Sequence, residues 1–90
     1  MLDKAEIEEL GWTESTEGTF LFESASDFYI NWVLKIVDED LIRIYGMREV
    51  NEKLIPDYIK GYTGGVDSQM ELYDIMVDLA IVPKEDDKLN

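Results

Sequence analysis

The feature that most constrains the fold is a run of ten residues in which apolar side chains occupy every second position. The apolar set is Phe28, Ile30, Trp32, Leu34 and Ile36, and the residues between them are mixed in character. Such alternation indicates a β-strand, because successive side chains of a strand point to opposite faces. We expect the apolar set to be buried. The other face is expected to be partly covered or to lie at a sheet edge.

A second alternating run follows after a short acidic turn at 38–40 (DED). Ile42 and Ile44 fall on one face of this run and Leu41, Arg43 and Tyr45 on the other, so 28–50 is predicted to form an antiparallel hairpin. Gly46 interrupts the second run, and a glycine inside a strand pattern is typical of a β-bulge.

Shorter segments outside the hairpin give weaker strand signals. Residues 19–23 are predicted to form a short strand, and 58–62 is a further candidate. The polar segment 13–18 (TESTEG) is predicted to be a turn. We expect 51–56 to be a connection, because Pro56 lacks the N–H group that a central strand requires.

Capping-box patterns predict a helix near each end of the chain. Asp3 and Glu6 begin a short N-terminal helix, and Ser68 and Glu71 begin an amphipathic helix that extends to about Ile81. The predicted core stripe of the second helix consists of Leu72, Ile75, Met76 and Leu79. The predicted fold class is therefore α+β, with an antiparallel sheet of three to four strands and the C-terminal helix packed on it.

Composition excludes several classes of function. The chain has 90 residues and contains neither Cys nor His, which excludes disulfides, thiolate or imidazole zinc sites, and catalysis by a Cys or Ser–His nucleophile. A chain of this length rarely builds a substrate cleft, so we expect no enzymatic activity, no cofactor and no dedicated metal site. Residues 1–83 are expected to form a single small domain, followed by a flexible acidic tail at 84–90.

Hydropathy and the first residues predict the location. No apolar run approaches the roughly 18 residues that a membrane span needs, and the N-terminal segment is acidic and helical in pattern, unlike a signal peptide. We therefore expect a cytoplasmic protein with no membrane partner.

The charge balance is the most unusual property of the composition. Twenty-one acidic and eight basic residues give a net charge of −13. This sign argues against direct binding to DNA, RNA or an anionic membrane, all of which need positive potential. The charge is divided unevenly: residues 1–27 carry −7, residues 28–62 carry −1 and residues 63–90 carry −5.

Four acids of the C-terminal helix form the clearest charged pattern. Asp67, Glu71, Asp74 and Asp78 recur at spacings of four, three and four, which places them along one stripe of a helix. Successive carboxylates then lie roughly 5–6 Å apart along the axis, on a scale similar to the phosphates of a DNA strand. A solvated face that serves only solubility is the alternative interpretation.

The opening segment 7–12 (IEELGW) and the closing segments 60–62 (KGY) and 68–81 resemble those of small phage-encoded proteins of unknown function. In size, acidity and order of elements the chain is also similar to acidic anti-CRISPR inhibitors, which occupy the DNA-binding groove of a Cas nuclease. The resemblance implies a phage or prophage origin and an anti-host or regulatory role in the cytoplasm of the host cell.

The leading hypothesis is an acidic inhibitor, present as a monomer or homodimer, that binds a basic nucleic-acid-binding host protein such as a CRISPR effector. Carboxylates would lie where phosphates otherwise bind. The primary candidate contacts are Asp67, Glu71, Asp74 and Asp78. The secondary candidates are Asp38, Glu39, Asp40, Glu6, Glu8 and Glu9.

Two further hypotheses use the sheet instead of the acids. The first is a phage accessory or assembly protein that binds through the sheet face, with Tyr29 and Tyr45 on the less buried side of the hairpin. The second is a protein that sequesters a signalling nucleotide at an oligomer interface, which requires a positive pocket. The bases available for that pocket are Lys35, Arg43, Arg48, Lys53 and Lys60.

Overall fold

A computed structural model describes residues 2–23, 29–39 and 41–81, apart from the side chain of Ile59. The expectations for Phe28, Asp40 and the tail at 84–90 lie outside the described residues.

Two helices and five strands follow one another in the described part of the chain. They are α1 (Lys4–Glu9), β1 (Thr13–Thr16), β2 (Thr19–Glu23), β3 (Asn31–Asp38), β4 (Leu41–Val50), β5 (Lys53–Gly65) and α2 (Gln69–Asp78). The strands form one antiparallel sheet in the order β1-β2-β3-β4-β5. The α+β class, the central hairpin, the short N-terminal helix and the C-terminal helix are confirmed. The prediction of three to four strands is wrong, because the described residues alone form five strands of the sheet.

The first additional strand is β1, which lies in the segment predicted to be a turn. Thr13 pairs with Leu21 and Glu14 pairs with Phe20, so β2 supplies the hydrogen-bond partners for this polar segment. Three of the four β1 residues are exposed. A strand at the edge of a sheet therefore needs no apolar alternation of its own, and the sequence shows none here.

The second difference is the length of β5, which begins at Lys53 instead of at residue 58. A tight turn at Asn51 and Glu52, with φ angles of 54° and 66°, returns the chain directly from β4. Pro56 lies inside β5 opposite Met47. The proline is tolerated because β5 is an edge strand of the described sheet, with β4 as its one neighbour there.

The predicted bulge at Gly46 is confirmed by the register of β4 and β5. Tyr45 pairs with Gly61, whereas the next residue, Gly46, pairs with Asp57. The extra residues, 58–60, thus belong to β5 and not to the strand that contains the glycine.

Both helices pack on the same face of the sheet, which we call the core face. Phe20, Leu34 and Ile44 are neighbours across three strands of this face, and Ile7 of α1 and Leu72 of α2 belong to the same buried cluster. We call the opposite side of the sheet the outer face.

Trp12 returns from the end of α1 onto this core. Its ring packs on Phe22 at a centroid distance of 5.1 Å, and its Nε1 donates a hydrogen bond to Met76 Sδ at 3.3 Å. The buried indole therefore links β2 to α2 and satisfies its own polar atom.

The core positions predicted from periodicity are correct in part. In α2, Leu72 and Met76 are buried, and Ile75 and Leu79 are half-buried against them. Ile30 is an error: it precedes β3 and is 43% exposed. α2 itself ends at Asp78, three residues before the predicted end.

Candidate functional site

The predicted acids Glu6, Glu8 and Glu9 belong to α1, which together with α2 forms a helical layer on the core face of the sheet. Asp3 and Glu6 form the predicted capping box, with the Asp3 N–H donating to Glu6 Oε1 at 3.1 Å and the Glu6 N–H donating to Asp3 Oδ1 at 3.0 Å. Glu6 is half-buried, while Glu8 and Glu9 are exposed. The capping bonds fix the direction in which this helix presents its carboxylates.

The capping of α2 differs from the predicted pattern. The Glu71 N–H donates to Ser68 Oγ at 3.2 Å, but the Glu71 carboxylate accepts from the Asp67 N–H at 2.7 Å and does not return to Ser68. Asp67 therefore precedes the N-cap and lies outside the helix. The acid stripe within α2 consists of Glu71, Asp74 and Asp78, all of them exposed.

Gln69 brings the acids of the two helices together. Its Nε2 donates to the Glu6 carbonyl oxygen at 2.9 Å and to Glu9 Oε1 at 2.8 Å. The N-terminal end of α2 is thus attached to α1 through one side chain. Nothing in the sequence pattern distinguishes Gln69 from an ordinary solvent-facing residue of a first helical turn, so sequence reasoning missed it.

The acidic turn between β3 and β4 lies next to the same helical layer. Asp38 and Glu39 are exposed, and the Glu39 N–H donates to Asp38 Oδ1 at 2.8 Å. Both residues line a cavity of about 140 Å³ between the turn, α1 and the segment before α2. The remaining lining residues are the apolar Leu2, Ile7, Ile36, Ile42 and Val66. The cavity was not anticipated, because it is formed by residues distant in sequence.

The structure therefore brings three predicted acidic segments close together at α1, the β3–β4 turn and the N-terminal end of α2. Asp74 and Asp78 lie further along α2, on the side of the helix away from Gln69. We call their described members the acidic surface: Glu6, Glu8, Glu9, Asp38, Glu39, Asp67, Glu71, Asp74 and Asp78. The ion pairs of the described residues are Lys4–Glu14 at 3.1 Å and Arg48–Asp57 at 3.8 Å. Neither pair includes a member of the acidic surface, so its charge is not neutralised by the bases that the structure describes.

Lys4 and Glu14 form an ion pair, and each of the two side chains shifts the pKa of the other. The N–H of Gly18, 3.1 Å from Glu14 Oε2, and the Lys4 ammonium both lower the pKa of the Glu14 carboxyl. The same contact with Glu14 raises the pKa of Lys4. Because both side chains are open to solvent, we attach no stability to this pair.

An exposed apolar stripe accompanies the acids of α2. Met70, Tyr73 and Val77 are 73%, 54% and 58% exposed. Their spacing of three and four residues places them on one side of the helix, next to the acid stripe and away from the buried Leu72 and Met76. The spacing is visible in the sequence, but the buried stripe alone accounts for the helix, so periodicity does not single out the exposed one.

The two tyrosines predicted to share the less buried face of the hairpin do not do so. Tyr29 lies on the core face, where its ring covers Gly46 at a distance that would exclude a Cβ atom, and its hydroxyl donates to Asp57 Oδ2 at 3.2 Å. Tyr45 is on the outer face beneath Tyr58, with ring centroids 4.8 Å apart. The reason is that Tyr29 precedes β3, so the alternation of side chains between the two faces of that strand does not determine where its ring points.

The basic residues of the sheet are distributed over both faces. Arg48 contacts Asp57 near Tyr29, whereas Lys35 and Arg43 are exposed and directly opposite each other on β3 and β4. Lys53 and Lys60 are exposed on β5. The five bases named for a positive pocket therefore do not converge on one pocket, although two of them are neighbours.

In the part of the chain that the structure describes, no three acidic side chains are arranged to hold a metal ion. Within the same residues, neither helix has the length and apolar character required to cross a membrane.

Comparison with known proteins adds no relative. No protein-family model matches the chain, and no significant match occurs among curated proteins or solved structures.

Proposed function

We propose that the protein is an acidic inhibitor that binds the basic nucleic-acid site of another protein and excludes nucleic acid from it by competition. The observation that carries the proposal is the acidic surface: acids of α1, the β3–β4 turn and the start of α2 lie close together, and none of the described carboxylates of the acidic surface is ion-paired. On a molecule with a net charge of −13, such a surface steers a basic partner toward it.

The acid stripe of α2 supports mimicry of a phosphate backbone. At a rise of about 1.5 Å per residue, Glu71, Asp74 and Asp78 are separated by roughly 4.5 Å and 6 Å along the axis. Core packing through Leu72 and Met76 holds the helix in place. The carboxylates are therefore preorganised, which reduces the ordering cost of binding.

The apolar stripe of Met70, Tyr73 and Val77 can form apolar contacts with the same partner, next to the ionic contacts of the acid stripe. Met and aromatic residues are favoured at the centre of protein interfaces. The partner that fits α2 is consequently a protein surface with both basic and apolar side chains, and not one with basic side chains alone.

The cavity beside the β3–β4 turn fits one long basic side chain of that partner. Its volume, about 140 Å³, is close to that of an engineered apolar cavity that holds benzene, so the aliphatic stem of a Lys or Arg side chain can enter. Asp38 and Glu39 line the same cavity and would bind the charged end of that side chain. Arg is a frequent anchor at interfaces.

A CRISPR effector nuclease is the first target to test, because of the resemblance to acidic anti-CRISPR inhibitors. Inhibition of DNA binding by the purified nuclease is measured as a function of salt. The double variant Asp74→Lys, Asp78→Lys should weaken inhibition at least about tenfold, because it replaces two attractive contacts by repulsive ones.

The matched control is Glu49→Lys, Glu52→Lys, which changes the net charge equally at the distant β4–β5 turn and should retain inhibition within about threefold. Equal loss in both variants would mean that net charge alone acts. A complex that is insensitive to salt would contradict the proposal, as would full inhibition by the α2 variant.

A further inference from the structure

The outer face of the sheet carries a row of hydrogen-bond donors across four strands. Thr19 pairs with Lys35, Lys35 with Arg43, and Arg43 with Thr63. At about 4.8 Å between strands, the row extends over roughly 14 Å. Lys35, Arg43 and Thr63 are exposed and Thr19 is half-buried, so these donors are open to a ligand.

Two like charges at the centre of this row are unfavourable without a counter-charge. Side chains directly opposite on neighbouring strands have Cβ atoms about 5 Å apart, and like charges there destabilise the pair. In the part of the chain that the structure describes, neither Lys35 nor Arg43 forms an ion pair. A protein with a large excess of acids thus leaves two adjacent cations without an acidic partner among the described residues.

An exposed aromatic ring, that of Tyr58, lies next to the cations. The neighbouring row of the outer face contains Leu21, Val33 and Tyr45, which have no charge, and Val33 and Tyr45 are buried. Tyr58 packs on Tyr45 at 4.8 Å and is 59% exposed. Since Tyr45 is two residues from Arg43 on the same face, roughly 7 Å along the strand, the exposed ring and the cations are within reach of one small ligand.

We propose that this part of the outer face binds a mononucleotide, with the phosphate on Lys35 and Arg43 and the base on the ring of Tyr58. Arg and Lys form strong charge-assisted hydrogen bonds to phosphate, and stacking on an aromatic ring accepts any base. A long nucleic acid is a poorer occupant, because its many phosphates would be repelled by the net charge of −13. This site lies on the face opposite the helical layer and does not depend on the inhibitor function.

The test is calorimetric titration at low salt with AMP, adenosine and inorganic phosphate as separate probes. AMP should bind at least about tenfold more tightly than either of the other two, because only AMP engages the cations and the ring together. Equal affinity for AMP and inorganic phosphate would overturn the assignment of Tyr58, and absence of AMP binding would overturn the site.

Three single variants separate a site from general electrostatics. Lys35→Gln and Arg43→Gln should each weaken AMP binding about tenfold, because each removes a charged hydrogen bond. Lys53→Gln removes the same charge from the far end of β5 and should leave the affinity within about twofold. Equal losses in all three variants would contradict a localised site, and so would unchanged affinity in the first two. Circular dichroism of each variant confirms that the sheet is intact.

Discussion

The phenol group of Tyr29 is buried and also hydrogen-bonded, and both effects change its pKa. The phenol is 6% exposed and donates to Asp57, which also contacts Arg48. Burial, and after it the Asp57 carboxylate, raises the pKa of the Tyr29 phenol above its ordinary value near 10.0. Folding therefore favours the protonated phenol.

This arrangement predicts a loss of stability at alkaline pH. Above about pH 10 the unfolded chain releases the Tyr29 proton while the folded chain retains it, so the free energy of unfolding falls as the pH rises. Tyr29→Phe should cost about 1 kcal/mol near neutral pH through the lost hydrogen bond, and should show a shallower decline above about pH 10. Urea denaturation at a series of pH values measures both effects.

The control for this prediction is Tyr73→Phe, which changes an exposed tyrosine of α2. Its decline with pH should match that of the unmodified protein. An equally steep decline in the Tyr29 variant would show that other groups account for the alkaline transition.

Single residues also show where sequence reasoning is sufficient. The Asp3–Glu6 capping box was predicted correctly, because it depends only on local spacing. The position of Tyr29 could not be predicted. It depends on Gly46, seventeen residues away, leaving room for the ring on the core face.

At the scale of elements, α2 combines favourable and unfavourable charges. Glu71 lies in the first turn, where a carboxylate is stabilised by the helix dipole. The last turn contains Asp78 and no basic residue, and a negative charge is unfavourable at a helix C-terminus. Stability alone does not explain Asp78, which agrees with a role in binding.

Replacement of Asp78 by Lys should therefore stabilise the protein while it weakens inhibition. We expect the free energy of unfolding to rise by about 0.5–1 kcal/mol, because the new charge suits the dipole and pairs with Asp74 four residues earlier. Denaturant unfolding at low salt measures this change. Asp78→Asn, which only removes the charge, should give a smaller increase. A destabilised Lys variant would indicate that Asp78 has a structural role instead.

Elements differ in how far their own sequence determines them. β3 and β4 have apolar alternation and were predicted closely, whereas β1 exists because β2 offers it a hydrogen-bonding edge. The start of β5 was missed because its hairpin turn uses Asn51 and Glu52, without the glycine that usually marks such turns. Of the candidate site, the acid spacing in α2 was predictable, but the contact between α1 and α2 through Gln69 was not.

For the whole molecule, the division of charge predicted from the sequence corresponds to a division in space. The helical layer and the adjacent β3–β4 turn carry the acidic surface, and the outer face of the sheet carries Lys35 and Arg43. The acidic character of the helical segments could be predicted from the sequence. The pair of cations on the sheet could not, because Lys35 and Arg43 become neighbours only when β3 and β4 are paired.

This charge distribution predicts that salt acts on stability and on binding in opposite directions. Between about 20 mM and about 200 mM NaCl the screening length falls from roughly 20 Å to below 10 Å, so repulsion within the acidic surface weakens. We expect the melting temperature to rise by roughly 5 °C, equivalent to about 1 kcal/mol for a domain of this size. The double variant Asp74→Lys, Asp78→Lys should gain less, because part of its repulsion is already removed.

Over the same range of salt, affinity for a basic partner should fall, since screening weakens attraction between the two surfaces as well. Calorimetric melting and partner binding, measured in the same buffers, test both directions together. A melting temperature that decreases with salt would show that attractive ion pairs outweigh repulsion in the folded chain. The acids would then serve the fold, and their lack of described partners would no longer be a reason to assign them to binding.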